Sequence, residues 1–157
     1  NGIAVNGGNS LTIYAQSTGE DIGRLTATRN TLSCAGIGNT EGFSGGAITI
    51  YGGSITATGG TGGAGIGGST GRNGGEITIY GGSVTANGGI DGAGIGGGCR
   101  GDGGAITISG GTVKAVSSAN GAGIGGGSIS NGGTILIRGG FVYEENRTLC
   151  LSRYIYL

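Results

Sequence analysis

"AITIYGGSITATGGTGGAGIGGSTGRNGG", residues 47–75, runs without a break into "EITIYGGSVTANGGIDGAGIGGGCRGDGG" (76–104) and then "AITISGGTVKAVSSANGAGIGGGSISNGG" (105–133). Ile48, Ile77, Ile106 and Ile135 recur every 29 residues, and Ile37, Ile66, Ile95 and Ile124 keep the same interval. The three copies carry no insertion or deletion, so each unit must fit against the next. An irregular first copy, 11–46, contains "LTIYAQS" (11–17) and "RLTATRNTLSCAGIG" (24–38), with about eight extra residues. A partial copy, 134–140, precedes a non-repeating tail, 141–157.

Inside the unit the hydrophobic period is two, the period of a strand. Ile48 and Ile50 fall on one face, with Thr49 and Tyr51 on the other. Ile55 and Ala57 alternate with Ser54, Thr56 and Thr58, and Ala64 and Ile66 alternate with glycines. Windows this rich in Gly and β-branched residues cannot hold a helix. Three short strands per unit, joined at Gly corners that tolerate sharp bends, describe one turn of an all-β parallel solenoid of about five coils. One coil buries too few aliphatic side chains to fold alone, and stacking supplies the shared core. "ITIY-GG-SITA" also fits a two-residue hairpin, the unit of a β-prism or propeller-like repeat. The solenoid is preferred because Thr49, Thr78 and Thr107, and Ala64, Ala93 and Ala122, would stack as like upon like.

Each "GAGIGG" (63–68, 92–97, 121–126) satisfies G-x-G-x-x-G. A dinucleotide site needs those glycines between a strand and a helix N-terminus, and "STGRNGGEITIY" (69–80) is no helix. Alternating Gly meets the spacing trivially, and no nucleotide or other cofactor is expected. The same alternation predicts that Gly63, Gly65, Gly67, Gly92, Gly94, Gly96, Gly121, Gly123 and Gly125 form an outer surface without side chains. That surface is a candidate packing face for another copy of the chain.

The motif "GGAITIYGGSITATGG…GAGIGG" resembles the Gly-rich repeats of bacterial cell-surface proteins in the pectate-lyase-like, right-handed parallel β-helix class. The resemblance covers residues 11–140 and implies that fold, its handedness and an extracellular or cell-surface location. It implies no activity.

Composition excludes several chemistries. The chain has 45 glycines among 157 residues and no Pro, His, Trp or Met. Without His, neither a Ser-His-Asp triad nor a His-ligated metal can form. Glu41, Glu76, Asp91 and Asp102 lie at different phases of the repeat, out of register with Lys114, Arg72, Arg100 and Arg138. No catalytic residues, no metal ligands and no enzyme activity are expected. Eight basic and eight acidic residues cancel, which disfavours nucleic acid as a partner, and no apolar run is long enough to insert in a membrane. The chain opens on Asn1 rather than Met, as expected of a processed, secreted product.

Tyr14, Tyr51 and Tyr80 share one phase, continued by Ser109 and Arg138. They are a candidate platform for polysaccharide, since aromatic faces accept the C–H faces of sugars. Cys34 aligns with Gly63 and Cys99 with Thr70, two coils apart and beyond disulfide reach. That leaves Cys99–Cys150 as the candidate disulfide, formed if the tail folds back. Asn146 begins the sequon "NRT", a candidate glycosylation site. Open solenoid edges invite strand pairing, and the tail "FVYEENRTLCLSRYIYL" reads as a strand that closes its own core or joins the next subunit. The function expected is a non-catalytic structural or adhesive repeat that forms a homo-oligomer or filament through edges, tail or Gly face. The alternative is a carbohydrate-binding β-helix.

Overall fold

A computed structural model describes residues 2–14, 23–30, 32–145 and 154–156. The first coil holds β1 (Ile3–Ala4), β2 (Ser10–Ile13), β3 (Arg24–Thr28) and β4 (Ile37–Gly38). The regular coils follow: β5 (Ala47–Ile50), β6 (Ser54–Thr58) and β7 (Ile66–Gly67); β8 (Glu76–Ile79), β9 (Ser83–Asn87) and β10 (Ile95–Gly96); β11 (Ala105–Ile108), β12 (Thr112–Val116) and β13 (Ile124–Gly125). The chain ends with β14 (Thr134–Ile137), β15 (Phe141–Glu145) and β16 (Tyr154–Tyr156).

Among the described residues no two successive strands pair with each other. They stack into three parallel sheets, in the orders β1-β4-β7-β10-β13, β16-β14-β11-β8-β5-β2 and β15-β12-β9-β6-β3. Partners sit one repeat apart: Ile48 faces Ile77, Ile77 faces Ile106, and Ile106 faces Ile135. This is a parallel β-solenoid of about four turns, followed by a partial rung of β14 and β15. The hairpin alternative fails because β5 and β6 belong to different sheets. The eight extra residues of the first copy widen the interval from Leu11 to Ile48 to 37, against 29 from Ile48 to Ile77.

The core is a set of columns. Ile48, Ile50, Ile55, Ala57, Ala64 and Ile66 are all buried, as are their equivalents in the next two coils. Ala57, Ala86 and Ala115 are small because the opposite wall touches them. A Cβ on Gly65 would lie 2.9 Å from the Ala86 carbonyl carbon and 2.6 Å from the Asn87 nitrogen. The solenoid narrows there to a backbone-on-backbone contact.

The repeat phase runs on past residue 140. β15 stacks on β12, with Val142 on Val113 and Glu144 on Ala115. β16 then returns to the same chain and pairs in parallel with β14, Ile155 opposite Leu136. The last strand of the tail therefore adds a rung to its own solenoid.

Candidate functional site

The glycine face is corrected by the structure. All nine glycines proposed as an outer packing face are buried within the chain. Only Ile66–Gly67, Ile95–Gly96 and Ile124–Gly125 are strand, so the alternation that would turn every second residue outward does not extend over "GAGIG". Space for a Cβ on Gly63 is taken by the Cys34 carbonyl of the coil before, and on Gly67 by the Gly96 carbonyl of the coil after. Gly38, Gly67, Gly96 and Gly125 share φ between 128° and 144°, a region that disfavours any Cβ. These glycines let coils approach each other.

The amides of the same motif are occupied. Ala64 N–H donates to Gly68 O at 2.9 Å, Gly65 N–H to Ala93 O and Ile66 N–H to Gly94 O at 3.0 Å, and Gly68 N–H to Gly96 O at 2.7 Å. A phosphate would have to displace the inter-coil ladder.

Tyr14, Tyr51 and Tyr80 do form one column. Their ring centroids are 4.8 Å apart at each step, with interplanar angles of 3° and 9°. That spacing is the rung spacing of the sheet, so the rings stack on each other. Both faces of Tyr51 are covered by its neighbours, and it offers solvent an edge and a hydroxyl. A sugar cannot lie flat across all three rings. The column continues in register through Ser109 and Arg138, whose N–H groups donate to Ile79 O and Ile108 O at 2.8 Å.

Carboxylates and cations stay dispersed. Glu41 lies in the turn before β5, Glu76 opens β8, and Asp91 and Asp102 occupy separate loops. Asp91 accepts from Asn120 Nδ2 at 2.8 Å, and Asp102 accepts from Asn131 N–H at 2.8 Å. Asn73 Oδ1 accepts from Asp102 N–H at 2.9 Å. Asn73, Asp102 and Asn131 thus form a ladder 29 residues apart, in which each side-chain oxygen holds the amide of the coil above. Arg72 and Arg100 sit in loops, Lys114 on the outer face of β12, and Arg138 just after β14. Among the described residues no three His, Cys, Asp or Glu cluster as metal ligands would. Among the described residues no helix is long and apolar enough to cross a membrane. Two open surface hollows, one lined by Ser44, Arg72 and Asn73, the other by Asn9, Ser10 and Glu76, hold no facing carboxylate pair.

Cys34 and Cys99 carry free thiols, each partly buried. Burial first, and the Asp91 charge second, push the Cys99 thiol up, with Arg100 opposing them. The thiolate is correspondingly disfavoured. Cys150 and Asn146 lie outside the described residues, and with them the disulfide and glycosylation candidates.

Glu144 is the residue that sequence reasoning missed. Its carboxylate accepts the Ile124 N–H at 2.9 Å and bonds the Gly123 amide as well. In the coil below, the equivalent amides of Gly94 and Ile95 donate to Ala122 O and Gly123 O. Glu144 therefore supplies, from a side chain, the acceptors that another rung would supply to β13. Much of the side chain is open to solvent at the end of the solenoid, but the carboxyl is shielded. Burial pushes its pKa above 4.5, with the two amides pulling the other way. The signal was its phase: a charged residue 29 positions after Ala115, in a column otherwise held by alanine.

A family model described as "Beta helix repeat" matches residues 48–70, 77–99 and 106–128. The three matches keep the register of the coils. The chain is a parallel β-helix. Comparison with curated proteins and with solved structures gave no match.

Proposed function

We propose that this β-helix is a non-catalytic, extracellular structural or adhesive repeat that self-associates end to end. The observation that carries the reading is the contrast between its two ends. At the first coil Ile3, Leu11, Ile13 and Leu25 occupy the interior columns yet remain only half-buried. Their equivalents Ile37, Ile48, Ile50 and Ile55 one coil on are fully buried. Among the described residues the core is least covered at that end, where β2 and β3 are the outer strands of their sheets. At the far end, Glu144 of β15 covers the edge of β13 in the neighbouring sheet, and β16 covers the edge of β14. With the glycines buried, the reading rests on the sheet edges, which recruit further strands when unpaired.

Alternation identifies a clean test. Asn9 O and Ile13 O accept from β5, so Ser10 and Thr12 direct their backbone groups to the free edge. Thr12→Pro removes an edge donor without touching the ladder to β5, and proline is tolerated at such positions. Sedimentation velocity across a hundredfold concentration range is expected to show oligomers for the natural chain and monomer for T12P. A natural chain that stays monomeric throughout, or a T12P chain that assembles equally well, would refute the reading.

A further inference from the structure

Asn-Gly steps recur along the chain, at Asn1, Asn6, Asn73, Asn87, Asn120 and Asn131. In such a step the main-chain nitrogen of glycine can attack the side-chain amide before it, because no Cβ stands in the way. The attack needs a nitrogen free to give up its proton and a main chain free to rotate. Asn1 lies outside the described residues, and the fold ties down most of the others. Gly7 N–H donates to Ser44 O at 2.7 Å, Gly74 N–H to Asp102 O at 2.9 Å and Gly88 N–H to Val116 O at 2.8 Å. Gly121 is buried against the Gly92 carbonyl of the coil below, and Asn120 Nδ2 is held by Asp91 at 2.8 Å.

Gly132 is the exception. Its equivalents Gly74 and Gly103 are buried, and each donates to the coil above, to Asp102 O and Asn131 O. Gly132 is only half-buried, and among the described residues nothing accepts its N–H. The Asn131 side chain is exposed and loosely held, with Nδ2 3.3 Å from Asp102 Oδ1, longer than an ordinary N–H···O bond. Asn73 Oδ1, by contrast, accepts the Asp102 N–H at 2.9 Å. We propose that Asn131 is a site of spontaneous deamidation, which places a second carboxylate against Asp102. The Gly132 nitrogen bonds to Asn131 Cγ, the Cγ–Nδ2 bond breaks, and ammonia leaves with the proton that Gly132 gives up. Water then opens the five-membered imide at one of its two carbonyls. Cutting the new bond leaves aspartate, and cutting the main-chain bond leaves isoaspartate. One water is consumed for each ammonia released, and no other reagent is needed. The product replaces a hydrogen-bond donor to Asp102 with a like charge, which repels it, so the last step of the Asn73–Asp102–Asn131 ladder loosens. This goes beyond self-association and requires none.

The test is to age the whole chain in mildly alkaline buffer, folded and in parallel unfolded in urea. Mass spectrometry with electron-transfer fragmentation then assigns each converted residue and separates isoaspartate from aspartate. In the folded chain Asn131 is expected to convert at least about tenfold faster than Asn73, Asn87 or Asn120, which must wait for local opening. In urea the four rates are expected to agree within about threefold, since the fold no longer distinguishes them. Equal rates in the folded chain, or a folded Asn131 that stays intact while the unfolded chain converts, would overturn the assignment. Asn131→Asp reproduces the product with an unaltered main chain and is expected to melt below the natural chain at neutral pH. An unchanged melting midpoint in N131D would overturn the repulsion with Asp102.

Discussion

Gly67 and Gly71 both have positive φ, 128° and 71°, yet replacing each by alanine should have very different effects. At Gly71 a Cβ would meet nothing within 4 Å. The same turn position is held by Arg100 and Ile129, at φ 60° and 58°, so L side chains are accommodated there. Gly71→Ala is expected to cost about 1 kcal/mol, the usual penalty of a left-handed alanine. At Gly67 the Cβ would run into the Gly96 carbonyl of the next coil, a backbone group with no side chain to swing away. The backbone strain alone is worth about 1–3 kcal/mol. Separating the coils also strains the bonds from Ile66 N–H and Gly68 N–H to Gly94 O and Gly96 O, at roughly 0.5–1.5 kcal/mol each. The sum is roughly 2–6 kcal/mol. At about 2–4 °C per kcal/mol for a chain of this size, G71A should lower the melting midpoint by about 2–4 °C and G67A by two to six times as much, about 4–24 °C. Circular dichroism melts and urea titrations of the two variants measure this directly. Midpoints within about 2 °C of each other would show that the coils do not approach as closely at Gly67 as described, and the account of the motif would fall with them.

Ile77, fully buried between Ile48 and Ile106, should cost about 2–5 kcal/mol as Ile77→Ala; a urea midpoint within error of the natural chain would mean the columns do not share one core. Glu144 has a raised pKa in the folded chain, so the folded state binds its proton more tightly than the unfolded one. Its contribution is fully present below about 4.5, the unfolded value, and is lost as pH rises through the higher folded value. The urea midpoint should therefore fall on going from pH 4 to pH 7, and Glu144→Gln should flatten that part of the profile; an identical slope in both proteins would rule out Glu144 as its source.

The parallel coil, its 29-residue length, the inward Ile and Ala columns and the Tyr register could all be read from the sequence. The reason is that stacking demands one residue type per column, and repetition writes that demand into the chain. Tertiary structure decided what period cannot express. "GAGIG" alternates like an open sheet, but the narrowing against Ala86 and Asn87 turns it into a buried wall. The tyrosines hold a common phase, but only a rung spacing of 4.8 Å makes their rings cover one another. Glu144 is a lone acid in the sequence and a stand-in for a missing rung in space. A repeat specifies which residues share a column, while the distance between columns and the groups available at each end arise only when the whole chain has closed around its core.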